Sequence, residues 1–320
     1  MWEEMNLKIK DIIKCTNGEL ITGNEECECE NFSRDTRRIE KGDTFVAIKG
    51  TKYDGNDYWQ EAFENGADTV IINKIVISDK EKGKFKDKNI ILVEDTRSAL
   101  YKIATEKRKL YKDLIVVGIT GSVGKTSTKD IIANVLSQKY KTLKTQGNMN
   151  NEIGLPFTIL KLRDHQVAVI EMGMNHLGEI SALSKIARPN ISVITNVGTS
   201  HIGNLGSREN ILKAKLEILD GMEEPIVVIN NDNDMLNKWA KENEHKVKIR
   251  TFGIENKSEC MPENIVESES NSEFICNCEN DKFQINVPVG GNAFILNSLC
   301  ASLVGKMLNL SNEQIQKRNF

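Results

Sequence analysis

A glycine-rich segment in the middle of the chain has the residue types that hold a triphosphate. Residues 118–127 read Gly-Ile-Thr-Gly-Ser-Val-Gly-Lys-Thr-Ser and lie between an apolar strand pattern and a helical pattern. Glycines in such a turn let backbone N–H groups approach phosphate oxygens, and the helix start adds unpaired donors and a positive dipole end. The Lys125 ammonium would reach the β- and γ-phosphates, and the Thr126 hydroxyl would bind Mg²⁺. We therefore predict an ATP site with these contact residues: Gly121, Ser122, Gly124, Lys125, Thr126 and Ser127.

Further polar residues follow other predicted strands, at the edge where open parallel sheets bind ligands. Glu171 ends one strand and could bind Mg²⁺ from the side opposite Thr126, whereas His201 follows another strand and Lys215 lies on a helix. Each of these is an ordinary structural residue when taken alone, so residue type assigns none of them a role. The amide cluster at residues 148–151 is typical of a ligand loop or of a turn.

The pattern around these residues predicts the elements that position them. From Leu114 onward, strands alternate with helices, which indicates right-handed βαβ units and a parallel sheet. The predicted strands are Leu114–Ile119, Val167–Glu171, Ile191–Thr195 and Ile226–Ile229, and the helices are Thr126–Gln138, Leu177–Ala187 and Arg208–Leu219. Glu273–Cys278 and Phe283–Val287 read as an antiparallel extension of the sheet, before a last helix over Phe294–Leu308.

The N-terminal third predicts a smaller α/β unit. Its predicted strands are Thr44–Ile48, Thr69–Asn73 and Ile90–Val93, its helices are Leu7–Cys15, Tyr58–Asn65 and Thr96–Tyr111, and Ser78–Asp87 reads as a solvated loop. The expected fold class is therefore α/β, with an N-terminal domain over residues 1–112 and a central, mostly parallel-sheet ATPase domain over 113–310. Residues 311–320 would begin a linker.

Composition excludes several classes of function. Hydrophobic residues make up 39% of the 320 positions, charged residues 28%, and the net charge of −3 argues against a nucleic-acid partner. No apolar run approaches the roughly 20 residues of a membrane span, and the start of the chain lacks a signal-peptide pattern. We expect a cytoplasmic protein without disulfides. The pairs Cys27/Cys29 and Cys276/Cys278 are spaced too closely for a usual zinc site and read as strand residues on one face.

Several ordered segments resemble the Mur ligase family. These are GITGSVGKTSTKD, TQGNMNNEIGLPFTIL, VIEMGMNHLGEI, ITNVGTSHIGNLGSRENILKAKLEI and VINNDND. The stretch FSRDTRRIEKGDTFVAIKGTKYDG is similar to the UDP-sugar-binding module of this family, and the resemblance covers nearly all of the chain from about residue 30. GNMNNEIGLP and EMGMNHLGEI favour the branch that adds D-alanyl-D-alanine over the lysine-, diaminopimelate- and folate-related branches.

The resemblance implies an ATP- and Mg²⁺-dependent amide ligase that joins D-alanyl-D-alanine to UDP-MurNAc-tripeptide through an acyl phosphate. It implies catalytic roles for Lys125, Lys215 and His201, a magnesium environment of Thr126, Glu171 and His201, and a carbamate on Lys215 that holds a second Mg²⁺. The implied nucleotide contacts are Asn148, Asn151, Asn230, Asp232 and Asn297, and the implied UDP-sugar contacts are Asp35, Thr36, Arg37, Lys49, Gly50, Asp54 and Gly55. We expect a monomer.

Three departures from the family pattern bear on these expectations. Asn56 replaces the histidine of an Asp-Gly-His segment, Gly291–Phe294 lacks the usual His-Asn pair, and the chain ends at Phe320, where a third domain would begin. We therefore expect the 320-residue chain alone to bind ATP and UDP-sugar weakly and to ligate poorly. Two alternatives stay open: another amino-acid ligase of the same superfamily, or a truncated, non-catalytic nucleotide- and UDP-sugar-binding remnant.

Overall fold

The computed structural model describes residues 5–74 and 83–317, which form two compact units. The first unit contains the described residues up to Lys112 together with Pro156–Arg163, and the second contains Asp113–Leu155 and the described residues from Asp164 onward. The segment Pro156–Arg163 thus groups with the first unit, although the sequence pattern places it inside the central domain. The domain limits given above stay a prediction.

The first unit is built on a five-stranded sheet. The seven strands of this unit, five of which form the sheet, are β1 (Leu7–Lys8), β2 (Glu19–Thr22), β3 (Glu28–Cys29), β4 (Phe32–Ser33), β5 (Thr44–Val46), β6 (Thr69–Ile72) and β7 (Asn89–Leu92). The sheet order is β2-β7-β6-β5-β4, parallel except for β2, and β1 and β3 form a separate antiparallel pair. The helices are α1 (Ile9–Thr16), α2 (Trp59–Glu64) and α3 (Thr96–Leu110), with 3₁₀ turns at Thr36–Arg38 and Gly55–Tyr58.

The second unit is built on a nine-stranded mixed sheet. Its strands are β8 (Ile115–Thr120), β9 (Thr142–Lys144), β10 (Val167–Glu171), β11 (Ile191–Ile194), β12 (Ile226–Asn230), β13 (Lys248–Phe252), β14 (Cys260–Ser268), β15 (Asn271–Cys278) and β16 (Asp281–Val287). The order is β16-β15-β14-β13-β12-β11-β8-β10-β9. The strands from β9 to β13 run parallel, and β14, β15 and β16 form an antiparallel extension.

Helices connect or follow the strands of this sheet along the chain. They are α4 (Lys125–Leu136), α5 (Gly154–Ile159), α6 (Glu179–Ala187), α7 (Ile202–Leu205), α8 (Arg208–Leu216), α9 (Asp234–Asn243), α10 (Asn292–Met307) and α11 (Asn312–Lys317), with a 3₁₀ turn at Glu217–Gly221. Residues of β8, α4 and α10 share one apolar core. Each fully buried valine or isoleucine in such a core contributes roughly 1.5–3 kcal/mol, which fixes the strand end from which the phosphate segment departs.

The predicted α/β architecture and the antiparallel extension are confirmed, and most predicted elements match within a few residues. The sequence pattern missed β13, because its charged and apolar residues alternate inside a mixed sheet. Arg250 of that strand is held by Glu259 and Glu279. It also missed α9. None of the helices in the described ranges is long and apolar enough to cross a membrane.

Two smaller predictions were wrong in part. Residues 78–82 of the predicted loop Ser78–Asp87 lie outside the described residues, but Phe85 is buried and packs against Trp59 and Phe63. Its burial in an aromatic cluster outweighs the polarity of its neighbours in sequence. Cys276 and Cys278 are buried on β15 as predicted, whereas Cys27 lies before β3 and outside any strand.

Candidate active site

The phosphate loop joins β8 to α4 and depends on two glycines. Gly124 precedes α4 with φ of +81°, a conformation that favours glycine. At Gly121 a Cβ atom would lie 1.9 Å from Thr195 Oγ1, so a side chain is excluded there. Within the described structure, no group accepts a hydrogen bond from the backbone N–H groups of residues 124–127. The start of α4 therefore offers free donors for an anion.

Lys125 lies over this loop as the sequence predicts. Its Nζ donates to the Gly121 carbonyl at 2.9 Å, and its side chain is half-buried. Burial lowers the pKa of Lys125, and the nearby Glu171 carboxylate opposes that shift. The ammonium is therefore held at the mouth of the loop, where a phosphate can replace the carbonyl as its partner.

Glu171 and Thr126 are brought together because β10 lies beside β8 in the sheet. Glu171 is 1% exposed, and its Oε2 accepts a hydrogen bond from Thr126 Oγ1 at 3.0 Å. Its Oε1 accepts from Asn150 Nδ2 at 2.7 Å, and its backbone N–H donates to Thr145 Oγ1. A buried carboxylate and a hydroxyl oxygen are the hard donors that Mg²⁺ prefers.

The protein supplies only part of a magnesium shell at this point. Across residues 5–74 and 83–317, no cluster of three or more His, Cys, Asp and Glu side chains is arranged to hold a metal. Mg²⁺ commonly keeps several waters and takes substrate phosphates beside one or two carboxylates. Thr126 and Glu171 fit such a shared site.

The side chain of Lys215, on α8, is buried in the protein. Lys215 is 1% exposed, and its side-chain amine makes no hydrogen bond or ion pair with any residue that the structure describes. Burial and the positive charge of Lys125 together lower the pKa of Lys215 to about 7. An ordinary lysine amine is almost fully protonated at pH 7, whereas this amine is about half neutral there.

His201 precedes α7 and differs from these residues in its surroundings. It has φ of +66° and an exposed side chain, and in the described part of the chain its imidazole has no hydrogen-bond or ion-pair partner. The structure therefore brings Lys125, Thr126 and Glu171 together but does not bond His201 to them. Its role in the magnesium environment stays a prediction.

The predicted nucleotide asparagines at residues 148 and 151 lie in the turn after β9. Asn151 Oδ1 accepts from the N–H groups of Ile153 and Gly154, so this side chain caps the start of α5. Asn148 is exposed, and its carbonyl accepts from the Asn150 N–H. Asn150 is the member of this amide cluster that donates a hydrogen bond to the Glu171 carboxylate, so it links the cluster to the proposed magnesium site.

The remaining predicted nucleotide residues are also held by protein contacts. Asp232 accepts backbone hydrogen bonds through both carboxylate oxygens, from residues 254, 255 and 256, and its own N–H donates to Asn230 Oδ1. Asn297 Oδ1 accepts from Thr128 Oγ1 of α4 at 2.8 Å. Asn297 is thereby tied to the phosphate-loop helix, and Asp232 is tied to the loop after β13.

The predicted UDP-sugar residues Asp35, Thr36 and Arg37 form one short motif. The Asp35 carboxylate caps the 3₁₀ turn through the Arg37 N–H and pairs with the Arg37 guanidinium at 2.8 Å. This guanidinium lowers the pKa of Asp35 to about 2. Thr36 Oγ1 donates to Glu61. The Arg37 side chain is otherwise open to solvent, which leaves it accessible to an anionic ligand.

The other predicted UDP-sugar residues form a hairpin-like loop. Lys49 and Asp54 are bridged, and the Gly50 N–H donates to the Tyr53 carbonyl. A Cβ at Gly55 would lie 2.7 Å from Ala47 C, so the loop closes tightly on itself. The Lys49 carbonyl accepts from Arg97 of α3, which fixes the loop to that helix.

Asn56, which replaces the histidine of the family pattern, links two segments of the first unit through its side-chain amide. It is 6% exposed, its Oδ1 accepts from the Asn73 N–H at 2.9 Å, and its Nδ2 donates to Asp54 at 2.7 Å. Lys74 and Asn56 lower the pKa of Asp54 to about 2. An amide satisfies one donor and one acceptor here without requiring a charge.

We expect Asn56→Ala to lower the free energy of unfolding by about 1–3 kcal/mol, because it removes the acceptor of the partly buried Asn73 N–H. Urea unfolding of the whole chain measures this change. Asn65→Ala is the matched control, since it removes an exposed amide that donates only to the Thr36 carbonyl. Its effect should stay within about 0.5 kcal/mol. Equal effects of the two substitutions would contradict the role of Asn56.

The fold and the loop geometry define an α/β protein with a phosphate loop after the first strand of its central sheet. The chain matches the Mur ligase middle domain over residues 119–305 and the Mur ligase family catalytic domain over residues 30–108. The chain belongs to the Mur ligase family.

Particular relatives narrow the comparison. The chain is 35% identical over 315 residues to UDP-N-acetylmuramoyl-tripeptide--D-alanyl-D-alanine ligase of Bacillus subtilis, covering 97% of this chain and 65% of that protein. The crystal structure of MurF from Acinetobacter baumannii has a TM-score of 0.86 at 28% identity, over 98% of this chain and 68% of that one. MurF of Thermotoga maritima in complex with ADP has a TM-score of 0.77 at 32% identity, over 90% and 65%. The chain thus spans about two thirds of the length of these relatives.

Proposed function

We propose that the protein is an ATP-dependent amide ligase that adds D-alanyl-D-alanine to UDP-MurNAc-tripeptide. The observation that carries this proposal is the hydrogen bond between Thr126 and Glu171. It lies beside Lys125 of the phosphate loop and the backbone N–H groups at the start of α4, which have no acceptor within the described residues. The names of the relatives support the choice of substrates. We place the protein in the cytoplasm as a monomer.

The geometry favours a mechanism based on positioning and electrostatics. The tripeptide carboxylate attacks the γ-phosphoryl group in line and forms an acyl phosphate, and ADP leaves. Lys125 and the N–H groups of residues 124–127 face the phosphates and stabilise the developing charge. The amine of D-alanyl-D-alanine then attacks the acyl carbon, and phosphate departs. No protein nucleophile is required.

Two groups of residues in this chain would hold Mg²⁺. Thr126 and Glu171 supply one set of oxygens, with His201 as a further predicted neighbour. Mg²⁺ bound there would neutralise charge on the phosphate oxygens. Lys215 would supply the second set if its neutral amine added CO₂ and released one proton to solvent, because the product is a carbamate anion with two oxygens. The lowered pKa of Lys215 favours that addition.

The N-terminal unit supplies the proposed UDP-sugar site. Arg37 is held by Asp35 with its outer face in solvent, and the tight loop from Lys49 to Gly55 lies in the same unit. Arginine binds phosphate in a bidentate manner, so Arg37 suits a diphosphate. The proposed nucleotide roles of Asn148, Asn151, Asn230, Asp232 and Asn297 are supported by their position after strands of the sheet or, for Asn297, beside α4.

Phosphate release from ATP tests the proposal. With Mg²⁺ and UDP-MurNAc-tripeptide, we expect release to rise when D-alanyl-D-alanine is added, together with a product whose mass increases by that dipeptide. Lysine, diaminopimelate and glutamate are offered in parallel as acceptors. Faster turnover with one of them would assign a different ligase of the superfamily. Binding of ATP and UDP-sugar with no product for any acceptor would indicate a non-catalytic binding protein.

A further inference from the structure

The segment after β11 contacts the first half of the phosphate loop along its whole length. Thr195 Oγ1 donates to the Val123 carbonyl at 2.8 Å, and the Gly198 N–H donates to Ser122 Oγ at 2.9 Å. Between them, Asn196 contacts both Ser122 and Val123. The missing side chain of Gly121 is what allows Thr195 to approach so closely.

Asn196 makes a two-sided pair with the backbone of Val123. Its Oδ1 accepts from the Val123 N–H at 3.0 Å, and its Nδ2 donates to the Val123 carbonyl at 3.0 Å. The Ser122 N–H is shared between this Oδ1 and the Asn196 backbone carbonyl, at 3.1 Å from each oxygen, so it keeps an acceptor when the side chain is removed. An asparagine amide offers one acceptor and one donor in this geometry, whereas an aspartate offers acceptors only.

These bonds decide which loop amides remain for phosphate. The N–H groups of Ser122 and Val123 are used by Asn196, whereas those of residues 124–127 have no acceptor within the described residues. The phosphate contacts therefore fall to the helix start. Ser122 carries the link to the segment after β11, and its contact with the nucleotide stays a prediction.

The segment is also held from its other side. The Val197 carbonyl accepts from Arg208 Nη2 at 2.9 Å and from Asn233 Nδ2 at 3.3 Å. Arg208 itself pairs with Asp234 through Nη1 and Nη2 of its guanidinium. Residues 195–198 are thus bonded to the phosphate loop on one side and to the starts of α8 and α9 on the other, which makes them a fixed support.

We infer that Asn196 is a positioning residue for triphosphate binding. It orients the Val123 peptide so that the N–H groups of residues 124–127 converge on one point. This inference rests on the proposed ATP-dependent function but concerns a residue outside the predicted nucleotide and metal contacts. Asn196 acts through the backbone of the phosphate loop and does not have to contact the nucleotide itself.

The test compares Asn196→Ala with Asn190→Ala in the whole chain. Asn190 is the matched control, because its Oδ1 also accepts a backbone N–H, that of Val116 in β8, but Asn190 precedes β11 whereas Asn196 follows it. The affinities of ATP, ADP and adenosine are measured by calorimetry with Mg²⁺, and folding is checked by thermal unfolding. We expect Asn196→Ala to weaken ATP and ADP about tenfold, as loss of two net hydrogen bonds predicts, and to leave adenosine unchanged.

Asn196→Asp is the second variant, and it keeps the acceptor while losing the donor. We expect an ATP affinity below that of the wild type with the fold retained, which separates positioning from global unfolding. Equal ATP affinity of wild type, Asn196→Ala and Asn196→Asp would overturn the inference. An equal loss for adenosine, or the same loss in Asn190→Ala, would also overturn it. Failure of the wild type to bind ATP would instead refute the proposed function.

Discussion

Lys215→Ala is expected to lower the rate of ligation by about 100- to 1000-fold, because it removes the group that would carry the second set of metal-binding oxygens. The physical basis is the buried, unpaired amine, whose pKa of about 7 keeps much of it neutral. Only a neutral amine adds CO₂. In ¹³C-bicarbonate we expect a carbamate signal in the ¹³C NMR spectrum of the wild type and its loss in Lys215→Ala.

Lys213→Ala is the control for this experiment. Lys213 lies two residues away on α8 with an exposed side chain, so it lacks the burial that distinguishes Lys215. It should retain both the NMR signal and the activity of the wild type. A wild-type spectrum without a carbamate signal at saturating bicarbonate would show that Lys215 acts as an amine, and the second metal site would have to be withdrawn.

Lys125→Ala is expected to weaken ATP binding by about 100-fold, because a charge-assisted contact to the phosphates is lost. The loss should be smaller for ADP and absent for adenosine, since adenosine carries no phosphate for the ammonium to contact. Equilibrium titration of the three ligands with Mg²⁺ gives these ratios. The same substitution also removes the positive charge that acts on Lys215, so its amine should become easier to protonate.

Lys139→Ala provides the comparison for charge alone. Lys139 lies just beyond the opposite end of α4 and donates to the Asn309 carbonyl at 2.7 Å. Removing it changes the net charge by the same amount without altering the phosphate loop. An ATP affinity that is equal in Lys125→Ala and in the wild type would place the triphosphate elsewhere and remove the basis for the proposed function.

The sequence was sufficient to predict that Thr126 and Glu171 lie at the same edge of the sheet. Apolar strand patterns located the ends of β8 and β10, and parallel strands end at one edge, so the two residues were predicted to face one Mg²⁺ from opposite sides. Their 3.0 Å contact follows from that rule. The glycines at 121 and 124 were likewise predictable from the turn that they must form.

The supports of the site were not predictable in the same way. Asn196 bonds to residues more than 70 positions away, and this pairing depends on β11 lying beside β8 in a register that no local pattern gives. One sequence feature did point to this segment: Thr195 and Asn196 come directly after a buried strand, near the sheet edge where Glu171 ends its own strand. Asn56 and Phe85 illustrate the same difficulty, because their burial is set by distant strands and helices.

The unpaired lysine on α8 also sets how the fold responds to acid. Its pKa in the folded chain, about 7, lies below the roughly 10.4 of an unfolded lysine. Between these values the unfolded chain holds one more proton at this position, so native stability declines as the solution is made less alkaline, until the loss is complete somewhat below neutrality. The cost is on the order of a few kcal/mol, a weakness that the remaining packing has to offset.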